Sequence, residues 1–239
     1  MRIDLYLANS GAVSSRTRAA NLIDLGRVTV NGKVVTKASL DVSDEDSIVI
    51  TEDYEASLGG LKLKEGLEKF GVACKDKICM DVGASNGGFT DVLLKNGAKT
   101  VYAIDVGECA LPEALAKDER VVVMDKTNAR YLEKDKFAVP PDFAVIDVSF
   151  ISLKLILPSV ISVMEGNGEI IALIKPQFEC EKRDLSKKGI LVDKKKRDKV
   201  LFDVQNFCRN SGLVVAGLIP APHPFDNKNQ EYLIYLKIA

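Results

Sequence analysis

One stretch of sequence decides the fold, Asp81-Val-Gly-Ala-Ser-Asn-Gly-Gly-Phe-Thr90, which joins a buried strand predicted at 78–82 to a helix predicted near 88–96. Glycines in such a turn let backbone N–H groups approach a ligand closely, and the start of a helix favours anionic groups. The spacing differs from the Gly-x-Gly-x-x-Gly of dinucleotide sites, because Asp81 precedes the first glycine and the next two follow four and five positions later. This spacing argues against a nicotinamide-dependent oxidoreductase.

A carboxylate follows at the end of the next predicted strand. Asp105 lies 22 residues after Gly83, in the segment Tyr102-Ala-Ile-Asp105-Val-Gly107. A carboxylate at the carboxyl end of the second strand can accept both hydroxyl groups of a ribose. Either feature alone is common in tight connections between strands and helices. Together, on neighbouring strands, they favour an adenosine-type cofactor.

Short apolar strands alternate with helical patterns from residue 76 onward. Strands are predicted at 78–82, 100–105, 120–124, 143–147, 169–175, 213–219 and 231–238, and helices near 88–96, 110–117, 154–165 and 194–210. This alternation predicts an α/β fold with a seven-stranded, mainly parallel sheet that is covered on both faces. A long loop without a helical pattern, residues 220–230, joins the last two strands, so we expect them to pair antiparallel.

Polar residues stand at the ends of these apolar strands. Asp147 and Lys175 each end a strand, and Glu231 begins the last one. In a doubly wound sheet Asp147 and Lys175 reach the carboxyl edge beside the glycine turn, and Glu231 joins them if the last strand is antiparallel. Lys62, on a helix predicted at 62–70, is the expected fourth member. Each residue alone is more often a helix cap or a solvated charge, but their convergence favours a catalytic site.

The N-terminal region has a different charge pattern from the rest of the chain. Residues 1–40 hold six basic and two acidic residues, whereas residues 41–55 hold seven acidic residues and no basic one. The local signals predict a short helix with Leu5, Leu7 and Ala8 on one face, a helix over 16–25 capped by Ser14 and Ser15, a hairpin at Asn31-Gly32, and a closing strand over 47–51.

This N-terminal pattern resembles the RNA-binding module of ribosomal small-subunit protein S-four. The matching segments are Ser15-Arg16-x-Arg18-Ala19, Leu22-Ile23, Gly26-Arg27-Val28-x-Val30-Asn31-Gly32 and Lys37. By charge alone a solvated basic helix face would be favoured, but the full spacing favours RNA binding that reads phosphate and shape. The RNA-binding residues that we assign on this basis are Arg2, Ser15, Arg16, Arg18, Arg27, Asn31 and Lys33.

The larger part of the chain also resembles a known family. The form Asp-x-Gly-Ala-Ser-x-Gly-Gly-Phe-Thr is similar to the first motif of Rossmann-like S-adenosylmethionine-dependent methyltransferases, and the set Lys–Asp–Lys–Glu is similar to the site of FtsJ-type ribose 2′-O-methyltransferases. The whole chain resembles the TlyA family, whose members carry the names hemolysin A and ribosomal RNA methyltransferase. Further matching segments are Gly59-Gly60-Leu-Lys62-Leu, Thr127-Asn128-Ala-Arg130, Asp147-Val-Ser-Phe-Ile-Ser152, Lys175-Pro-Gln-Phe-Glu179 and Asn229-x-Glu231.

The resemblance implies a domain organisation, a reaction and a set of residues. It implies an RNA-binding module over 1–51, a linker over 52–61, and a Rossmann-like methyltransferase domain over 62–239. It implies S-adenosylmethionine as cofactor, ribosomal RNA or ribosomal subunits as partner, and methyl transfer to a cytidine ribose 2′-hydroxyl. The implied catalytic residues are Lys62, Asp147, Lys175 and Glu231, and the implied cofactor-binding residues are Asp81, Gly83, Ala84, Ser85, Gly87, Gly88, Phe89, Thr90, Asp105, Val106, Asn128 and Asp147.

Cysteine usage and hydropathy argue against several other classes of protein. The five cysteines form no Cys-x-x-Cys pair and the single His223 cannot complete a zinc site with them, so we predict no metal and a reducing, cytoplasmic location. No apolar run reaches the roughly 18 residues that a membrane helix needs. A binding protein without catalysis and a membrane-active lysin are the alternative functions.

The charges of the whole chain nearly cancel, with 33 Lys and Arg against 34 Asp and Glu. A nucleic-acid partner must therefore be met by local patches. One such patch is residues 182–199, where nine basic residues accompany three acidic ones. For this patch an RNA-binding surface and a solvated helix face are open alternatives.

Overall fold

The computed structural model describes residues 1–13, 16–24, 26–51, 58–222 and 228–239, without the side chains of Thr17, Asn21 and Leu58. The predicted caps Ser14 and Ser15, and most of the predicted linker, lie outside the described residues. The chain divides into two compact units, Met1–Ala56 and Ser57–Ala239.

The small unit contains two helices and a three-stranded sheet. The helices are α1 (Ile3–Asn9) and α2 (Arg16–Asp24), and the strands are β1 (Val28–Val30), β2 (Lys33–Val34) and β3 (Ile48–Ile50). The sheet has the order β2-β1-β3 with both pairings antiparallel. The predicted hairpin turn is confirmed, because Asn31 and Gly32 both have positive φ angles, 52° and 77°, as a type I′ turn requires.

The buried face of α1 differs from the prediction. Ile3 and Leu7, four residues apart, are buried in the core of the small unit, whereas Leu5 is only half-buried. The helix begins at Ile3, and the residues at its start are held by two backbone hydrogen bonds: the Ile3 N–H donates to Leu40 O, and the Val42 N–H donates to Met1 O. Ile3 and Leu7 have the i, i+4 spacing of residues on one helix face, and this is the face that α1 turns to the core.

The large unit is built on a seven-stranded sheet. Its strands are β4 (Ile78–Val82), β5 (Thr100–Ile104), β6 (Val121–Met124), β7 (Phe143–Ile146), β8 (Glu169–Ile174), β9 (Leu213–Pro220) and β10 (Tyr232–Ile238). The strand order is β6-β5-β4-β7-β8-β10-β9. The first five strands are parallel, and β10 is antiparallel to both β8 and β9, as the sequence predicted.

Helices cover both faces of this sheet. They are α3 (Leu58–Phe70), α4 (Gly88–Lys95), α5 (Glu113–Ala116), α6 (Leu153–Val163), α7 (Pro176–Glu179) and α8 (Lys194–Asn210). Successive strand residues enter different cores: Val145 packs in the cluster that contains residues of α3 and α4, and Ile146 packs in the cluster that contains residues of α6 and α8. Since both faces are buried, the strands read as continuous apolar runs.

Helix α5 is shorter than the predicted 110–117. Pro112 occupies its N-cap with an extended backbone, and the residue before a proline is disfavoured in the helical region. The segment before Pro112 is therefore loop, which leaves a single helical turn.

The strand order places a crevice at the carboxyl end of β4. The chain passes from β4 to β5 and β6 on one side and continues with β7 and β8 on the other. Ligands of open α/β sheets bind where the order reverses in this way. Because β10 runs antiparallel, with Tyr232 opposite Ile174, the start of β10 reaches the same edge.

Candidate active site

The glycine turn is held against two neighbouring strands. The N–H groups of Gly83 and Ala84 both donate to Ile104 O, at 2.8 and 3.0 Å. Gly83 has a φ of 90°, and a Cβ at this position would lie 2.3 Å from Asp147 O. The turn can therefore pass between β5 and the residue after β7 only because residue 83 has no side chain.

Asp105 organises the same turn from the end of β5. Its two carboxylate oxygens accept hydrogen bonds from the N–H groups of Ser85 and Gly107, both at 2.9 Å. An ionised carboxylate has about four acceptor positions, so two remain for a ligand. A half-buried carboxylate with free acceptor capacity fits the two ribose hydroxyls of an adenosine cofactor.

A cavity of about 450 Å³ lies next to Asp105, and we call it the cofactor cavity. Its volume is in the range of small-molecule sites. Asn128 closes one side and caps a short 3-10 helix by accepting the N–H of Arg130 at 3.1 Å. The other lining residues are Val82, Gly83, Ser85, Ile104, Val106, Thr127, Ala129, Arg130, Asp147, Val148, Ser149, Phe150, Ile151 and Ile156. The residues present therefore fit S-adenosylmethionine in size and in donor set.

A second cavity of about 190 Å³ adjoins the first, and we call it the Lys175 cavity. The two cavities share Gly83, Ser85, Asp147 and Ser149, and Lys175 lines only the second. Its remaining lining residues are Gly59, Ala84, Asn86, Gly88 and Phe89. The shared wall is where a cofactor in one cavity would face a substrate group in the other.

Two of the predicted cofactor-binding residues are buried beneath the glycine turn and line neither of the two cavities. Asp81 and Thr90 are fully buried and line neither cavity; Thr90 Oγ1 donates to Asp81 Oδ2 at 2.7 Å. Burial raises the pKa of Asp81 to about 7, against the opposing effect of the Thr90 hydroxyl. Gly87 also lies outside both cavity walls and N-caps α4 with a φ of 81°.

Lys175 stands between two acceptors at the carboxyl edge. Its Nζ forms an ion pair with Asp147 Oδ1 at 2.6 Å and donates to Ser149 Oγ at 2.9 Å. The Lys175 side chain is 11 % exposed, so the cation is largely removed from solvent but open to the cavity. A contact of this kind fixes the direction of the ammonium group.

Lys62 and Glu231 form a second ion pair, with 2.5 Å between Nζ and Oε2 and with side chains that are only 18% and 19% exposed. Tyr232 lies opposite Ile174 in the β10–β8 ladder, so Glu231 is the next residue alongside Lys175. The structure thus brings the four predicted catalytic residues to one edge as two neighbouring pairs. Their roles in a reaction remain predictions.

Sequence reasoning did not single out Glu179. This half-buried carboxylate accepts hydrogen bonds from the Ser152 hydroxyl and the Leu153 N–H, both at 2.6 Å, and its partial removal from solvent raises its pKa. It joins the loop that follows β7 to the helix that follows Lys175. Ser152 and Glu179 lie in two segments that the family resemblance covers, but no periodicity in the sequence indicates that these two residues are in contact.

Phe150 was also not selected as a site residue. Its ring is 90 % exposed, lines the cofactor cavity, and has its centroid 5.1 Å from that of Phe178. Its φ is 63°, which is unusual for a bulky side chain. Strain of this kind and an exposed aromatic ring are properties of functional sites that only coordinates reveal.

In the small unit, two predicted RNA-binding arginines share one buried carboxylate. Arg2 Nε and Nη2 donate to Asp4 at 3.0 Å each, and Arg16 Nε donates to Asp4 Oδ2 at 2.8 Å. The hydrogen bonds from Arg2 are the main cause that lowers the pKa of Asp4 to about 2. Asp4 is 3 % exposed, whereas about half of the Arg16 side chain is open to solvent.

The other predicted RNA-binding residues within the described ranges do not contact Asp4 in the hydrogen bonds given above, and they lie on several elements of the small unit. Asn31 is used locally, because its amide donates to Asp46 Oδ1 at 2.8 Å and its carbonyl accepts from the Ser47 N–H at 2.9 Å. Arg18 lies on α2, Arg27 precedes β1, and Lys33 is exposed at the start of β2. Ser15 lies outside the described residues. Binding of RNA by this set remains a prediction.

Two other kinds of feature, a membrane-spanning helix and a metal-binding cluster, do not occur in the described ranges. No helix in them is long and apolar enough to cross a membrane. In the same ranges, no group of three or more His, Cys, Asp or Glu side chains could hold a metal ion.

A mainly parallel sheet whose order reverses at a glycine turn, with a carboxylate on the adjacent strand that fits a ribose, is the architecture of Rossmann-like S-adenosylmethionine-dependent methyltransferases. Comparison of folds agrees: an S-adenosylmethionine-dependent methyltransferase from Mesorhizobium loti superposes with a TM-score of 0.55 at 14% identity, over 76% of this chain and 100% of that one. At this identity the likeness concerns the fold alone.

Sequence comparison assigns the protein to a family within this class of methyltransferases. The model of the FtsJ-like methyltransferases matches residues 56–238, and the model of the S4 domain matches residues 1–48. The chain therefore belongs to the FtsJ-like methyltransferase family, and its relatives confirm the predicted kinship with TlyA.

The relatives carry two kinds of name. Hemolysin A of Brachyspira hyodysenteriae is 39% identical over 100% of both chains. The 16S/23S rRNA (cytidine-2′-O)-methyltransferase TlyA of Mycobacterium tuberculosis is 37% identical over 99% of this chain and 89% of its own length. A solved structure from Streptococcus thermophilus that carries the name of a hemolysin has a TM-score of 0.80 at 38% identity, covering 100% of this chain and 88% of that one.

Proposed function

We propose that this protein transfers a methyl group from S-adenosylmethionine to a ribose 2′-hydroxyl of ribosomal RNA. One observation carries the proposal: the Lys175 ammonium lies in the Lys175 cavity, 2.6 Å from Asp147 and 2.9 Å from Ser149, two residues of the wall that this cavity shares with the cofactor cavity. A cation paired in this way can hold a hydroxyl group in line with a methyl donor. The membership in the FtsJ-like family supports the same reaction.

When bound, the cofactor supplies a methyl group on a sulfonium, which is already a good leaving group. The protein's tasks are therefore alignment and preparation of the nucleophile. Asp105 holds the ribose of the cofactor through its two free acceptor positions, and the backbone of the glycine turn leaves room for the ligand. Alignment of this kind can supply roughly 7–11 kcal/mol of the barrier.

A ribose hydroxyl is a very weak acid, so polarising or removing its proton assists the reaction. Lys175 contacts that hydroxyl in our proposal. Asp147 and Ser149 fix the direction of the Lys175 ammonium, and the carboxylate of Asp147 would favour the positive charge of a bound sulfonium. The Lys62–Glu231 pair completes the network next to Lys175. The proton acceptor in this proposal is Lys62 or Lys175, and either can serve only as the neutral amine, after giving up its own proton, because an ammonium group has no acceptor position.

The finer parts of the proposal concern the target and the domains. The TlyA relatives are named as rRNA (cytidine-2′-O)-methyltransferases, so we propose a cytidine as the target nucleotide. We propose that residues 1–51 bind the RNA, that 52–61 link the two domains, and that 62–239 carry the reaction. Because ribosomal RNA is the substrate, we propose that the protein acts in the cytoplasm.

Transfer of a tritiated methyl group from S-adenosylmethionine to unmodified ribosomal RNA and ribosomal subunits tests this function. The product is mapped for 2′-O-methylation. Lys175→Ala should lower transfer by at least about a hundredfold while cofactor binding stays near that of the wild type. Lys99→Ala, an exposed change before the amino end of β5, serves as the matched control. Full turnover by Lys175→Ala would refute the role of Lys175, and absence of transfer by the wild type would refute the function.

A further inference from the structure

Positive charge is concentrated in one segment of the large unit. Residues 182–199 hold nine Lys and Arg against three Asp and Glu, while the whole chain has a net charge of −1. Five exposed lysines of this segment, Lys182, Lys187, Lys188, Lys194 and Lys195, form no ion pair with any described residue. We call these five residues the lysine surface.

Part of the lysine surface is presented on an ordered turn. The Ser186 N–H donates to Ile190 O at 2.9 Å, and the Gly189 N–H donates to Ser186 O at 2.8 Å. Ser186 Oγ also accepts the N–H groups of Lys188 and Ile190. Lys187 and Lys188 therefore stand at the tip of a closed turn with their ammonium groups in solvent.

This turn is hydrogen-bonded to Asn229, which lies close to the edge of the sheet that carries Lys175 and Glu231. The Asn229 side chain accepts the Leu191 N–H and donates to Gly189 O, both at 2.8 Å. Asn229 is two residues before Glu231, which lies alongside Lys175. The turn that carries Lys187 and Lys188 thus belongs to the rim of the site, and the ion pair of Lys196 with Asp184 joins the first turn of α8 to the same segment.

Folding does not account for the lysines at 194 and 195. Both lie in the first turn of α8, which has no acidic residue and begins at an Asp193 cap. The positive end of a helix dipole repels cations, so these side chains are placed against the preference of an isolated fold. Residues that break a local rule in this way are expected at functional surfaces.

A membrane surface fits this segment less well than RNA does. A helix that binds a bilayer needs a free apolar face. Four apolar residues of α8 are buried in the large unit, namely Val200, Leu201, Val204 and Cys208. Phe202 on α8 and Val192 before it are exposed, but two isolated apolar side chains do not make the continuous insertion face that lipid binding needs.

We infer that the lysine surface binds the phosphate backbone of the RNA substrate beside the catalytic edge, as a second RNA contact separate from the small unit. The inference rests on the proposed function. Lysine ammonium groups are suited to phosphates as point charges, and such contacts position an RNA without reading its bases.

Three double variants of the full chain test the inference: Lys187→Gln with Lys188→Gln, Lys194→Gln with Lys195→Gln, and the control Lys75→Gln with Lys99→Gln. The control pair is equally exposed and removes the same charge before the amino ends of β4 and β5, at the opposite edge of the sheet. Methyl transfer to ribosomal RNA, RNA binding by fluorescence anisotropy, cofactor binding and thermal unfolding are measured for each.

Each surface variant should raise the KM and the Kd for RNA about tenfold at moderate salt, with kcat and the cofactor Kd unchanged. The slope of log Kd against log salt should fall by roughly 0.7–0.9 for each lost phosphate contact. Unfolding temperatures should stay equal or rise slightly for the change at 194 and 195, since a repulsion with the helix dipole is removed. The control should match the wild type in every measurement.

Equal RNA affinity and salt slope in the surface and control variants would overturn the inference. So would surface variants that lose binding to phosphatidylglycerol vesicles while keeping RNA affinity, since the partner would then be a membrane. A failure of the proposed function would look different, because the wild type itself would then transfer no methyl group to RNA. In either case the anisotropy measurement shows whether the lysine surface binds RNA.

Discussion

The Nζ atom of Lys62 lies 2.5 Å from Oε2 of Glu231, although the two residues are 169 positions apart in the chain. The pair joins α3, which precedes the sheet, to the residue that opens β10. Since both side chains are largely buried, neither charge can be removed without leaving the other unpaired. The two residues should therefore act as a unit.

A double-mutant cycle measures this coupling. Lys62→Gln and Glu231→Gln should each lower kcat about tenfold or more, and the double variant should be little worse than either single one, because each change disrupts the same pair. Lys237→Gln, on the exposed end of the same strand, is the control and should leave kcat unchanged. Strictly additive effects would show that Lys62 and Glu231 work independently.

Glu179 should act as a positioning residue. Glu179→Ala leaves the Ser152 hydroxyl and the Leu153 N–H without their acceptor, which costs about 1–3 kcal/mol of stability and loosens the loop that carries Asp147. We expect kcat to fall about tenfold with the KM for RNA nearly unchanged. Glu179→Gln keeps one acceptor oxygen and should restore most of kcat. Failure of Glu179→Gln to restore activity, with normal stability, would contradict a positioning role.

The Phe150 ring is available to stack on a base of the RNA. Stacking on an aromatic side chain contributes about 1–3 kcal/mol per base. Phe150→Ala should therefore lower kcat/KM for RNA by about tenfold to a hundredfold, with thermal unfolding unchanged because the ring is 90 % exposed. Phe150→Tyr should retain activity, and equal activity of the alanine variant would exclude stacking.

Asp81 should make stability depend on pH. Its pKa of about 7 lies above the ordinary carboxyl value of 3.8, so between these values the folded state binds more protons than the unfolded state. Stability is then greatest below about pH 4 with respect to this group and is lost as the pH rises through 7. Asp81→Asn keeps an acceptor for Thr90 and should stabilise the large unit above pH 7 by on the order of 2–4 kcal/mol. Denaturant unfolding across pH measures the effect; a parallel pH profile in the variant would contradict it.

Asp4 should have the opposite pH dependence in the small unit. Because its pKa is lowered to about 2, its contribution to stability is present above the ordinary value of 3.8 and is lost as the pH falls through 2. Asp4→Asn should increase amide hydrogen exchange in α1 at neutral pH and weaken RNA binding, since Arg2 and Arg16 lose their shared anchor. The difference from the wild type should vanish near pH 2. Unchanged exchange at neutral pH would show that the carboxylate is dispensable.

Much of the architecture was predictable from local patterns. The strands of the large unit are continuous apolar runs, the glycine turn stands between a strand and a helix, and Asn31-Gly32 has the residues that a type I′ turn requires. These signals are readable because backbone preferences and burial on two faces act over a few neighbouring residues. The charged ends of β7 and β8 were predictable for the same reason, since a charge that follows a buried run must reach an edge.

Tertiary structure alone decided which side chains touch. The Lys62–Glu231 pair depends on β10 inserting between β8 and β9, and the bonds of Glu179 depend on how two loops at one edge approach each other. The hydrogen bond from Arg16 to Asp4 depends on the position of the start of α1 beside residues 38–42. Such contacts are set by strand order and packing between distant segments, and sequence periodicity records only which face of an element is buried, not which distant element covers it.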